Sequence, residues 1–341
     1  MKSIFFSQLI YAHKNAMIDT KGSDTMKQWG EKRYFSLDYY IKKTFGEKLY
    51  KLSLDGGMTC PNRDGALGNH GCIFCSAGGS GDFASDRKLS IKEQLSQAKQ
   101  LVSRKHTGSS YIAYFQAYTN TYAPVDYLEK IFTEAINEPD IQVLSIATRP
   151  DCLSDEVLNL LSRLNKIKPV WIELGLQTIH KESADFIRRG YDLDVFEKAV
   201  YYLKNIGITI ITHVILCLPH ENTDKMLETI SYLNRLPIDG IKLQLLHVLK
   251  GTDLANVYEE SPFYLPNLEE YLELLGNIIS HLREDIVIHR LTGDGPKSLL
   301  IAPLWTGNKR MVLNRIQQYL KDADIWQGKE ISCQNHLHST N

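Results

Sequence analysis

The chain has 341 residues, a formal net charge of −1, 43% hydrophobic residues and 23% charged ones. That is the make-up of an ordinary soluble protein with one large domain or two of common size, and it carries no global basic field that would advertise nucleic acid. No apolar run reaches the ~18 residues of a membrane span.

The opening MKSIFFSQLIYAHKN lacks a proper apolar core followed by a small-residue cleavage pattern. Residues 1–30 are polar and irregular. A helix is expected from Trp29 to about Gly46, then a strand ending at Asp55. Residues 89–105 (LSIKEQLSQAKQLVSRK) read as an amphipathic helix and SYIAYFQ as a buried strand. The alternation then repeats: helix 125–137, strand 143–148, helix 154–165 behind a Ser N-cap with a capping-box-like Glu, strand 170–176, helix 194–205, strand 208–218, the helix NTDKMLETISYLNRL, and strand 240–249.

About six strand–helix units at roughly 30-residue spacing imply a parallel α/β sheet covered by helices. Periodicity leaves open a doubly wound sheet or a partial barrel; in both, the chemistry belongs at the carboxyl ends of the strands. Three regions are expected: an N-terminal extension over 1–50, the core over 51–250 and a C-terminal extension over 251–341.

Three of six cysteines, Cys60, Cys72 and Cys75, share the Gly-rich loop after the first strand, spaced Cys-x11-Cys-x2-Cys. Cys152, Cys217 and Cys333 are isolated, so no disulfide framework appears. Clustered thiols in a reducing cytoplasm, the expected location, favour metal. Structural zinc completed by His70 and a 4Fe–4S cluster held through three irons are both compatible with the spacing. A second cluster is not expected.

KLSLDGGMTCPNRDG, GCIFCS, YFQAYTNTYAP, ATRPDCLSD, WIELGLQTIH, HVILCLPHE and RLTGDGP, spread over roughly residues 30–320, resemble the radical S-adenosylmethionine (SAM) superfamily. Within it they look like the YhcC/YtqA-type group and, more distantly, the radical SAM part of the Elongator catalytic subunit. The resemblance implies a partial (βα)6 barrel, a 4Fe–4S cluster on Cys60, Cys72 and Cys75, and reductive cleavage of SAM to a 5′-deoxyadenosyl radical. It also implies a reducing partner such as flavodoxin or ferredoxin.

Phe74, directly before Cys75, could cover a cofactor or serve local packing; by the same resemblance Gln116 or Asn120 would contact the methionyl amino group, Gln177 the ribose and Arg189 the SAM carboxylate. Glu173 lies inside a strand that should be buried, where a carboxylate is costly without a partner. Arg149 and Asp151 end a strand and could reach the rim. Glycine would be expected in this group at Cys217 and His220. His213 and His247 suit packed core histidines.

Residues 27–51 carry seven Lys/Arg against three Asp/Glu, interleaved with aromatic residues. Such a segment suits RNA, or a helix packing its rings on the barrel; residues 308–321 are likewise basic on one face. The relatives are associated with the 5-position side chain of the wobble uridine in tRNA. About 90 residues after 250 are too few for an acetyltransferase domain, so remodelling of an existing side chain, such as a carboxymethylaminomethyl group, is expected. A protein or small-metabolite substrate is the alternative.

Overall fold

The computed structural model describes residues 26–331, apart from residues 77, 80–83, 105, 106 and 294. The first 25 residues of the expected N-terminal extension and Cys333 lie outside the described residues.

Seven parallel strands form one curled sheet: β1 (Tyr50–Leu54), β2 (Tyr111–Phe115), β3 (Ile141–Thr148), β4 (Val170–Gln177), β5 (Thr209–Leu216), β6 (Gly240–Leu245) and β8 (Val287–Arg290), adjacent in that order. A doubly wound sheet would reverse its strand order at a switch point. This order never reverses, so the sheet winds as a partial barrel. A separate antiparallel pair joins β7 (Val248–Leu249) to β9 (Leu300–Ala302). The expected strand 240–249 is therefore broken at Leu246–His247, and its second part leaves the sheet.

Helices cover the outside: α2 (Ile91–Val102), α3 (Val125–Ile136), α4 (Asp155–Asn165), α5 (Lys181–Phe186), α6 (Leu193–Asn205), α7 (Thr223–Asn234) and α9 (Leu268–Ser280), with α8 (Asp253–Glu260) near β7 and α10 (Lys309–Asp322) against α9. Their starts follow local chemistry. Ser90 and Glu93 close a capping box on α2, and Ser154 accepts a hydrogen bond from the Val157 amide. The glutamate arm expected on α4 is missing because the third helical residue is Val157.

The main apolar core lies between these helices and the outer face of the sheet. Inside the barrel a smaller core of Ile112, Val143, Trp171 and Ile211 is closed from below by α1 (Leu37–Phe45), which presents Ile41 with Tyr40 and Phe45 beside it. The helix expected from Trp29 thus starts eight residues later, behind the Ser36 cap. Gln327, fully buried, binds that entry segment: its side chain accepts from the Phe35 amide and donates to the carbonyls of Arg283 and Ile286. The C-terminal region therefore supplies both a seventh barrel strand and an anchor for the N-terminal one.

Candidate active site

Alternate residues of each barrel strand face inward, and the tilt and stagger of the strands bring them into layers. The lowest layer is the apolar plug around Trp171. Two residues further along each strand comes a charged layer: Lys51, Tyr114, Ser145, Glu173, His213, Lys242 and Arg290. Above it stand Ser53, Gln116, Ala147, Gly175, Ile215 and Gln244. A cavity of about 450 Å³ opens from the charged layer to the carboxyl rim of the strands.

Cys60, Cys72 and Cys75 line the mouth of this cavity, and none is in a disulfide. Their loop is held from below and behind. Asn62 donates to the Arg188 carbonyl at 2.7 Å and lies 3.5 Å from the Cys72 sulfur. The Arg63 guanidinium donates to the carbonyls of Cys75 and Ser76. Ile73 bridges Ile187 and Leu254 through its backbone, docking the loop on a satellite apolar cluster. At Gly71 (φ 76°) a Cβ would stand 2.7 Å from Arg63 Nε, and at Gly79 (φ 61°) 2.4 Å from the Tyr118 ring. Glycine is required there by both backbone and space.

Burial, with the neighbouring Cys75 thiol, pushes the Cys72 thiol up to about 12. A thiol so placed keeps its proton until a metal displaces it. His70 is exposed and away from the cavity. His70 thus lies apart from the three cysteines, and among the described residues no group of three His, Cys, Asp or Glu side chains is gathered at metal-binding distance. The three thiols around the cavity mouth would be the residues to hold a 4Fe–4S cluster.

The other expected contacts divide. Phe74, Gln116, Gln177, Glu173 and Arg189 line the cavity. Gln177 stands at φ 69° with its Oε1 buried and without a hydrogen-bond partner, as a side chain awaiting a ligand would. Asn120 is not among the lining residues; its amide donates to the Ala117 and Ala147 carbonyls and ties the loop after β2 to β3. Arg189 donates to the carbonyls of Leu176, Thr178 and Tyr191 and stacks on the Tyr191 ring, so much of its fork serves the rim itself. Arg149 pairs with Asp151 and also reaches the Arg189 carbonyl.

Cys217 and His220 both occupy the left-handed region, at φ 63° and 72°, where glycine is the cheap residue. Burial pushes the Cys217 thiol up to about 12. Sequence reasoning overlooked Asn62 and Arg63, whose only signal was adjacency to Cys60. It also overlooked that Cys152, isolated in sequence, comes close enough for its charge to interact with Cys60.

In the charged layer Glu173 is fully buried, and its carboxylate is shared by Lys51 at 2.5 Å, His213 at 3.0 Å, Ser145 at 3.0 Å and Lys242. Burial alone would push this carboxyl up, but Lys242, Lys51 and His213 together hold it well below the usual carboxylate range. Burial and Lys242 lower His213 to about 4. His213 is therefore neutral in the folded state and must charge on unfolding in acid. Because its folded value lies below its unfolded 6.5, stability rises from pH 4 to 6.5 and is lost on acidification through that window. The loss expected from this group is about 3 kcal/mol, and His213→Asn should flatten that part of a pH series of urea midpoints.

Residues 67–233 match the Radical SAM superfamily and residues 238–322 the Radical_SAM C-terminal domain. The uncharacterized protein YtqA of Bacillus subtilis is 42% identical over 299 residues, covering 88% of this chain and 93% of that protein. Protein YhcC of Escherichia coli is 36% identical, covering 84% and 91%. The tRNA uridine(34) acetyltransferase of Methanocaldococcus jannaschii is 26% identical over 161 residues, covering 46% of this chain and 29% of that enzyme. Among solved structures, the Elp3 of the archaeon Methanocaldococcus infernus superposes with a TM-score of 0.63 at 16% identity, over 82% of this chain and 64% of that one. That likeness concerns the fold. No helix among the described residues is long and apolar enough to cross a membrane.

Proposed function

The chain belongs to the radical SAM superfamily, and on that footing we propose that it modifies the side chain of the wobble uridine of tRNA, with Cys60, Cys72 and Cys75 as its cluster ligands. The superfamily's cofactors are a 4Fe–4S cluster and SAM. Bound together they supply one-electron chemistry: a 5′-deoxyadenosyl radical that abstracts a substrate hydrogen.

The protein's own residues have distinct parts. Cys60, Cys72 and Cys75 would hold the cluster, with Asn62 and Arg63 fixing the loop that carries them. Phe74 and Gln116 wall the space beside it. The buried Gln177 carbonyl oxygen would accept from a hydroxyl of SAM, and Arg189 would shape the rim between Tyr191 and β4. Asn120 would act through the loop it anchors. The apolar plug and α1 close the barrel from below, and the cavity opens to water at the rim. An external one-electron donor of the flavodoxin or ferredoxin class would supply reductant.

The observation that supports the reading is the meeting of three thiols and an unpartnered Gln177 oxygen at the carboxyl rim of a parallel barrel. The choice of tRNA rests on the partial likeness to the tRNA uridine(34) acetyltransferase. Gln177→Ala should raise KM for SAM about tenfold, the worth of one good hydrogen bond, with little change in bound iron. The substrate is tested by incubating the reduced holoprotein and SAM with bulk tRNA, then comparing nucleosides by mass spectrometry. A shifted wobble uridine supports the proposal; deoxyadenosine release with an unchanged nucleoside profile from every tRNA would count against it.

A further inference from the structure

The end of β4 is bulged, and Tyr191, which helps to hold the bulge, has no part in the scheme above. The pairing of β4 with β5 shifts register between Gly175 and Gln177, and Gln177 stands at φ 69°. Carbonyls on both sides of Gln177 accept from side chains of one short segment. The Tyr191 hydroxyl donates to the Gly175 carbonyl at 2.7 Å. The buried Arg189 guanidinium donates to the carbonyls of Leu176 at 3.2 Å and Thr178 at 2.6 Å. A glutamine in the left-handed region persists only where its surroundings over-determine it, and these bonds do so.

The clamp is itself held. The guanidiniums of Arg149 and Arg189 lie over the Tyr191 ring, 4.9 and 4.8 Å from its centroid. Arg149 forks onto the Asp151 carboxylate at 2.9 and 2.7 Å and donates from Nη1 to the Arg189 carbonyl. Gly175 keeps the crossing open, since a Cβ there would stand 3.1 Å from Gln177 Nε2 and 3.4 Å from Tyr191 Oη. Tyr191 and Gln177 both line the cavity. A clamp that served stability alone would not end on a buried polar atom left unsatisfied, because that is costly. This one ends on Gln177, whose buried Oε1 has no hydrogen-bond partner.

We propose that Tyr191 is a positioning residue: its hydroxyl on the Gly175 carbonyl, with its ring under two guanidiniums, sets the β4 bulge so that Gln177 Oε1 is aimed at the bound ligand. Tyr191 acts through Gln177 and not on the ligand itself. The gain is preorganisation, since an amide already aimed does not have to be ordered when the ligand arrives. The proposal rests on the reading of Gln177 as the acceptor of a SAM hydroxyl.

The test is equilibrium dialysis of labelled SAM against the reconstituted, unreduced holoprotein, where binding is read without turnover. The unaltered protein is compared with Tyr191→Phe, Gln177→Ala and the double variant. Gln177→Ala should weaken SAM binding about tenfold, Tyr191→Phe about fivefold, and the double variant no more than Gln177→Ala. Bound iron should be the same throughout. Tyr191→Phe removes a single oxygen and keeps the ring beneath both guanidiniums, so the fold is retained. A merely structural role would weaken binding by the same factor with or without the Gln177 amide, and that result overturns the proposal. So does loss of iron in Tyr191→Phe. Unchanged binding in Tyr191→Phe beside weakened binding in Gln177→Ala removes the positioning role and leaves the Gln177 contact standing. Unchanged binding in Gln177→Ala removes that contact and the positioning role with it.

Discussion

Glu173→Gln is expected to destabilise the protein by about 3 kcal/mol, because it leaves the buried Lys242 ammonium and the half-buried Lys51 without their shared counter-ion. For a chain of this size that corresponds to a fall in Tm on the order of 5–10 °C. Lys242→Met should cost much less. It removes one of two cations and leaves Glu173 paired with Lys51 at 2.5 Å and bonded to Ser145. The double variant should be more stable than Glu173→Gln alone, since removing Lys242 relieves the repulsion that the first change exposes. Thermal unfolding of the three variants checks this. Equal Tm values for the two single changes would mean that the cavity solvates the lysines well enough to make Glu173 dispensable.

The same pair fixes the alkaline behaviour. The folded value for Lys242 is lowered, so between that value and its unfolded value near 10.5 the unfolded chain binds more protons. In that range this group contributes stability that grows with pH. Glu173→Gln should therefore regain part of its lost stability on alkalinisation, as Lys242 sheds its charge.

Much of this was legible along the chain because each strand and helix carries its own period. The order of elements came from apolar runs of five to eight residues alternating with amphipathic helices, and the caps at Ser90 and Ser154 marked helix starts. Glu173 announced itself as a carboxylate in a strand too apolar to be exposed. Its partners could not be read, because Lys51 and Lys242 lie 122 and 69 residues away and meet it across the barrel interior from strands that do not pair with its own. The seventh strand was missed because VIHR is four residues long and follows a helix with no sheet of its own to announce. The break after Leu245 escaped for a related reason: β7 continues the apolar run, and only its pairing with Leu300–Ala302 separates it. At the site, cysteine spacing marked the loop. The roles of Asn62 and Arg63 depend on carbonyls of Arg188 and Ser76, which sequence does not place.

Cys72→Ala should abolish deoxyadenosine formation, a fall of at least a thousandfold, and reduce bound iron from about four per chain toward zero. Burial pushes its thiol up, and the Asn62 amide lies 3.5 Å from the sulfur. The informative partner is Cys152→Ala. Cys152 lies near enough to Cys60 for their charges to interact, yet its sulfur faces Asp151 at 3.9 Å and it does not line the cavity. Cys152→Ala should therefore keep its iron and its deoxyadenosine yield. Iron, sulfide and zinc analysis of the two variants after anaerobic reconstitution decides the ligand set. If Cys152→Ala loses iron as Cys72→Ala does, Cys152 is a ligand and the three-thiolate site is wrong. If Cys72→Ala keeps four irons and full activity, the loop does not hold the cluster. One zinc per chain in the unaltered protein, with no iron and no SAM cleavage, would make the loop a structural clip.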